Sequence, residues 1–226
     1  MPPPNRTDLS PPKHIARRLP LAGPLYDTLL NNVVELPVGS TLVRAAWNHA
    51  SIFPRRVDIT HRFGPPQEAR NGDGSYPFHW IYAAFDTMTA VWEAGLCRND
   101  VTQPGSFYVA HGAPEALIAR FDMLAPLVLL DLNGLAMAKL GISDEISDPD
   151  HEWSQWFGCM LDAVIALAPR RLHGFRYPSR RHRGNDAVAL SSRRMETLDM
   201  AMAHEKFAGT AECAHLQEDL CRVAPP

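Results

Sequence analysis

Five side chains stand out because their neighbours are apolar or turn-forming while they are not. Glu93 sits in Trp80-Ile-Tyr-Ala-Ala-Phe-Asp-Thr-Met-Thr-Ala-Val-Trp-Glu-Ala-Gly-Leu-Cys97, where a carboxylate set among small and apolar residues needs a partner or a task. Arg44 interrupts the apolar run Thr41 to Trp47, and a guanidinium in such a run calls for an anion or a carboxylate. Arg62 precedes the turn Phe63-Gly64-Pro65, Tyr82 lies on the same stretch as Glu93, and Ser179 follows Tyr177-Pro178 ahead of Arg180-Arg181-His182-Arg183. Arginines of this kind bind phosphate groups bidentately, so the pattern suits a small nucleotide. Spacing alone leaves the ordinary readings open: a surface glutamate, a structural ion pair at Arg44, a solvated Arg62 and a core Tyr82.

Other chemistries lack their residues. Ser179 is not in a Gly-x-Ser-x-Gly turn, there is no His-Glu-x-x-His among the ten histidines, and the four cysteines form no Cys-x-x-Cys pair, so no metal site is indicated. No Gly-x-Gly-x-x-Gly or Gly-x-x-x-x-Gly-Lys follows a strand, which excludes the common dinucleotide and P-loop patterns. A basic loop beside an aromatic also suits RNA or DNA, but its aromatic content is thin and the net charge of -3 argues against nucleic acid.

Certain elements must carry these side chains. Apolar spacing predicts a helix over Leu25 to Leu36, ended by Pro37 and Gly39, and a strand over Thr41 to Trp47. The next stretch, rich in Pro, Gly, Asn and Asp, reads as a loop lining or covering a cleft. Phe78 to Phe85 reads as a strand, with a helix starting at Asp86 or Thr87 and ending at Gly95. Further strands are expected over Leu117 to Phe121, Leu127 to Leu132, Gly174 to Ser179 and Ala187 to Ser191. Asp148-Pro149 reads as the cap and first position of a helix whose buried face carries Trp153, Trp156, Phe157, Met160, Leu161, Val164 and Ile165. Met195 to Val223 has helical propensity, broken near Gly209. Strands interleaved irregularly with helices indicate an α+β fold.

The 226 residues suit one domain with extensions: a proline-rich N-terminal arm and short helix over 1–38, a central domain over 39–194, and a helical tail over 195–226. Scattered cysteines suggest reduced thiols, the N-terminus lacks the apolar core of a signal peptide, and no apolar run approaches the roughly 18 residues of a membrane span. A cytoplasmic protein without membrane attachment is expected.

Taken in order, Leu42-Val43-Arg44, His61-Arg62-Phe63, Ile81-Tyr82-Ala83-Ala84, Ala90-Val91-Trp92-Glu93, Val128-Leu129-Leu130-Asp131 and Tyr177-Pro178-Ser179 resemble the RES-domain family, named for an arginine, a glutamate and a serine. The resemblance covers about Gly39 to Ser192; the terminal extensions and Ala45, where an aromatic often follows the first arginine, depart from it. It implies a fold with an ADP-ribosyltransferase-like mixed sheet core, and an enzyme that consumes NAD+ as substrate with no further cofactor. It also implies a toxin paired with an Xre-type antitoxin; a homodimer stays open. By the same resemblance Arg44, Arg62, Tyr82, Glu93 and Ser179 form the site. Arg44 and Arg62 would hold the pyrophosphate, Tyr82 would pack on nicotinamide or ribose, Ser179 would bond the nicotinamide end or ribose, and Glu93 would face the sugar. The expected reaction is hydrolysis or phosphorolysis at the nicotinamide-ribose bond, with ADP-ribosylation of a protein, or a non-enzymatic binding module, as alternatives.

Overall fold

The computed structural model describes residues 9–147 and 151–226. Ten strands run in chain order: β1 (Val33–Leu36), β2 (Thr41–Ala46), β3 (Trp80–Ala84), β4 (Cys97–Asn99), β5 (Phe107–Val109), β6 (Leu117–Met123), β7 (Leu127–Asp131), β8 (Gly174–Pro178), β9 (Asp186–Ser191) and β10 (Met200–Lys206). Among the described residues six α-helices accompany them: α1 (Lys13–Ala16), α2 (Ala22–Leu30), α3 (Thr87–Glu93), α4 (Leu135–Leu140), α5 (His151–Leu167) and α6 (Ala211–Glu218). Eight strands form one mixed sheet in the order β1-β7-β8-β9-β3-β2-β6-β10, and β4 and β5 make a small hairpin. Only β7 and β8 run parallel among these pairs. The fold is α+β.

Three clusters of buried side chains pack against the sheet. On one side α2 and α5 cover Trp80, Phe175, Tyr177 and Ala189, with Trp153 and Phe157 of α5 stacked 4.9 Å apart. Side chains buried this completely each contribute roughly 1.5–3 kcal/mol of hydrophobic stabilisation. Elsewhere α3, the β4–β5 hairpin and α6 enclose Val43, Ala45, Val91, Leu96, Cys97, Phe107 and Phe207. The apolar face of α5 buries Trp153, Trp156, Phe157, Leu161, Val164 and Ile165, as its spacing predicts. Asp148 and Pro149, the expected start of that helix, lie outside the described residues.

Two expectations are corrected. The helix expected over Leu25 to Leu36 stops at Leu30, because Val33 to Leu36 pair antiparallel with Leu127 to Leu130 and complete the sheet edge. The β-branched Val33 and Val34 fit a pleated surface better than a helix end. In the tail, the helical propensity is realised in α6, while Met200 to Lys206 lie as β10 along the whole of β6, Met200 opposite Met123 and Lys206 opposite Leu117. Unpaired donors and acceptors on β6 outweigh the local preference of a short Met-Ala-Met-Ala segment.

The sheet is interrupted at one strand junction. β2 pairs with β6 over six residues, from Thr41↔Asp122 to Ala46↔Leu117, yet meets β3 at Val43↔Ala84 alone. Past that point β2 and β3 part. Arg44, the next residue of β2, donates from Nη1 to the Tyr82 carbonyl at 2.6 Å, and from Nε and Nη2 to the Ser51 carbonyl at 3.2 and 2.9 Å.

Candidate active site

The parted strands open into a cleft of about 470 Å³, bordered by β2, β3, the loop after β2, α3 and the segment after β8. That loop lines the cleft, as expected, through Ser51, Pro54, Val57, His61 and Arg62.

Glu93 reaches the cleft because α3 is stopped at both ends. Asp86 caps its N-terminus, accepting from the Thr89 N–H at 2.7 Å and from the Thr89 hydroxyl at 2.7 Å. Gly95, at φ +68, supplies the left-handed residue that closes the helix, with the Leu96 N–H bonded to the Val91 carbonyl at 3.1 Å. Ala90, Glu93 and Ala94 then share the side that borders the cleft, while Val91 is buried behind. Both carboxylate oxygens of Glu93 are engaged: Oε1 accepts from the Ser179 hydroxyl at 2.6 Å and Oε2 from the Tyr177 hydroxyl at 3.1 Å. Ser179 Oγ in turn accepts from the His182 N–H at 3.0 Å. The carboxylate is held in one orientation.

Arg62 is positioned through its neighbour. The Phe63 N–H donates to the Tyr82 hydroxyl at 3.1 Å, and the Phe63 carbonyl accepts from the Trp80 indole at 2.6 Å. A Cβ at Gly158 of α5 would collide with that carbonyl, so only glycine lets the helix approach so closely. The Arg62 guanidinium lies 4.7 Å from the Phe63 ring centre and 5.8 Å from that of Tyr177. It is 7% exposed, and none of its three nitrogens has a hydrogen-bond partner among the described residues. Burial lowers its pKa, the nearby Tyr177 and Glu93 oppose that shift, and Arg180 adds to it. A buried, unpartnered guanidinium beside a cleft is a costly arrangement that a bound anion would relieve.

Four of the five predicted residues, Arg44, Arg62, Tyr82 and Glu93, border this cleft. Ser179 stands behind them, 4% exposed, its hydroxyl committed to Glu93, so it orients the carboxylate instead of facing the opening. Arg44 differs from expectation in its partners, two backbone carbonyls: that of Tyr82 on β3, where β2 leaves it, and that of Ser51 in the loop after β2. Burial brings its pKa down to about 10, still protonated at neutral pH. Tyr177 adds a contact not predicted from the sequence; its one local signal is its place on β8, two residues before Ser179 and so on the same face. Its phenol, 1% exposed, is pushed well above the usual range by burial and by Glu93, and therefore stays protonated as a donor. His61, Arg98, His151, Arg180 and Arg181 complete the rim. Arg98 has no local sequence signal; it reaches back to donate to the Gly95 carbonyl at 3.0 Å.

Among the described residues no group of three His, Cys, Asp or Glu side chains could hold a metal ion, and no helix is long and apolar enough to cross a membrane. No curated protein matches the chain. The RES domain family matches residues 41–208, from the start of β2 to just past β10, which takes in the cleft, all five predicted residues and the edge strand. The chain therefore belongs to the RES domain family.

Proposed function

We propose that this protein degrades NAD+ by cleaving the bond between nicotinamide and ribose, and that it acts as the toxin of a toxin–antitoxin pair with an Xre-type partner. One juxtaposition carries the reading: a carboxylate oriented by two hydroxyls, Glu93, in the same cleft as a buried guanidinium with no hydrogen-bond partner among the described residues, Arg62. Membership of the RES family supports the choice of NAD+. Four free thiols are in keeping with action in the cytoplasm.

In this mechanism Arg62 binds the diphosphate with charge-assisted hydrogen bonds and thereby gains its missing partner. Arg44 keeps β2 and β3 apart, so the nicotinamide ribose enters between them toward Glu93. The aromatic wall of Tyr82 and Tyr177 takes the nicotinamide ring. The C1′–N bond breaks with its electron pair leaving on nicotinamide, whose ring nitrogen loses its positive charge without a general acid. Positive charge moves to the sugar, and the fixed Glu93 carboxylate stabilises it. Water then bonds to C1′ and releases one proton to solvent, giving ADP-ribose, nicotinamide and H+; a phosphate oxygen in place of water gives the phosphorylated sugar.

Purified protein incubated with NAD+, with and without inorganic phosphate, tests the reading by nicotinamide release and product mass. Release that depends on Glu93 is expected, and the product mass identifies the acceptor. Absence of nicotinamide under both conditions, and with added protein acceptors, would overturn it.

A further inference from the structure

The cleft chemistry leaves a second basic group unused. A groove of about 370 Å³ is lined by Trp92, Cys97, Arg98, Asn99, Arg180, Arg181 and Arg183, and shares Arg98, Arg180 and Arg181 with the cleft. None of its four arginines has a carboxylate in ion-pair contact among the described residues. Arg176, a few residues earlier, shows the usual alternative: it pairs with Asp131 at 2.6 Å and Asp186 at 3.7 Å.

Three of the four arginines are also held in place, Arg180 by a 3.1 Å contact between its Nη2 and His151 Nε2. Arg98 Nε donates to the Gly95 carbonyl at 3.0 Å and Arg181 Nη1 to the Trp92 carbonyl at 3.5 Å, so both stand at the C-terminal end of α3, where its dipole favours cations. A Cβ at Gly95 would lie 3.1 Å from Arg181 Nη1 and 3.2 Å from Arg98 Nε, so the glycine that ends α3 also lets the two guanidiniums converge. Their remaining donors, with Arg183, surround a groove bordered by the Trp92 indole. Guanidiniums bind phosphate, and an indole beside them offers a surface on which a base can stack.

Resting on the reading of the cleft as an NAD+ site, we propose that this groove takes the adenosine monophosphate half of the dinucleotide. The nicotinamide ribose then lies at Glu93 and the diphosphate crosses from Arg62 to Arg180 and Arg181. A ligand with two halves joined by a diphosphate matches two grooves joined by shared arginines. A free anion would leave the indole unused.

Nicotinamide mononucleotide carries the labile bond and one phosphate but lacks the adenosine monophosphate half, so it isolates the groove. The native protein should favour NAD+ over nicotinamide mononucleotide in kcat/KM, and Arg183→Ala should lower that preference by about tenfold, Arg183→Glu by more. Arg183 is exposed, so neither change threatens the fold. AMP binding, followed by calorimetry, should weaken in parallel. A native protein that treats both substrates alike, or a preference unchanged in Arg183→Glu, would overturn the assignment. Should neither substrate release nicotinamide, the reading of the cleft fails separately, and calorimetry still decides the groove: AMP bound equally by native and Arg183→Glu protein, or by neither, overturns it. Salt-sensitive RNA binding lost in Arg183→Glu while the substrate preference stays would assign the groove to a polymer and likewise overturn it.

Discussion

The two edges of β2 meet opposite fates. Toward β6 every residue from Thr41 to Ala46 has a partner, whereas toward β3 the ladder is a single pair, Val43↔Ala84. The closed edge is sheet and the open edge is a cleft. The two arginines nearest the opening divide the same way: Arg44 places its donors on the backbone carbonyls of Tyr82 on β3 and Ser51 in the following loop, and Arg62 has no hydrogen-bond partner among the described residues. One arginine maintains the opening, and the other is left for what enters it.

Five outcomes would break or sharpen this contrast, the largest first. Glu93→Gln should lower kcat by about 10³-fold with the melting temperature nearly unchanged, since it removes the charge that faces the sugar in the proposed reaction and keeps the shape. Equal turnover would remove Glu93 from the chemistry. Arg62→Met should raise KM for NAD+ by roughly 10- to 100-fold. The same protein should melt higher, because a buried unpaired charge becomes an apolar side chain; a lower melting temperature would show that Arg62 has structural partners after all.

Ser179→Ala should reduce kcat by about tenfold and leave KM little changed, since its hydroxyl orients Glu93 from behind. A change confined to KM would instead put that hydroxyl on the substrate. Arg44→Ala should act mainly on stability, by about 1–3 kcal/mol, as the Tyr82 and Ser51 carbonyls lose their donor. A melting curve and KM from one preparation distinguish it from Arg62→Met.

The smallest effect concerns pH. His79 and His173 have pKa values lowered first by burial, opposed by hydrogen bonds to the carbonyls of Pro54 and Val128 and further lowered by nearby arginines. The unfolded chain therefore binds more protons than the folded one below the ordinary histidine value of about 6.5, and stability must fall as pH drops through it. Melting temperatures at pH 7.5 and 5.5 should differ in that sense, and His173→Gln should narrow the difference. A melting temperature that rises on acidification would contradict the sign.

Much of the site is legible in the residues themselves. The caps of α3, Asp86 and Gly95, are local signals that place Glu93 at the end of a short helix. The alternation of β8 puts Tyr177 on the face of Ser179. Less legible is the role of each. Ser179 and Tyr177 meet Glu93 across the fold, and His182, which steadies Ser179, is fixed in turn by a 2.7 Å contact with Thr89 on α3. No spacing along the chain reports these contacts.

By itself the sequence determined the α+β class, the elements that carry the chemistry and the order of Arg44, Arg62, Tyr82, Glu93 and Ser179, because periodicity, capping and turn preference act over a few neighbouring residues. Tertiary structure alone decided that Val33 to Leu36 and Met200 to Lys206 become edge strands, that β2 and β3 part after one pair, and which arginine is left without a hydrogen-bond partner among the described residues. Strand pairing and the satisfaction of buried donors depend on groups far apart in the chain, and these exist as neighbours only once the sheet has formed.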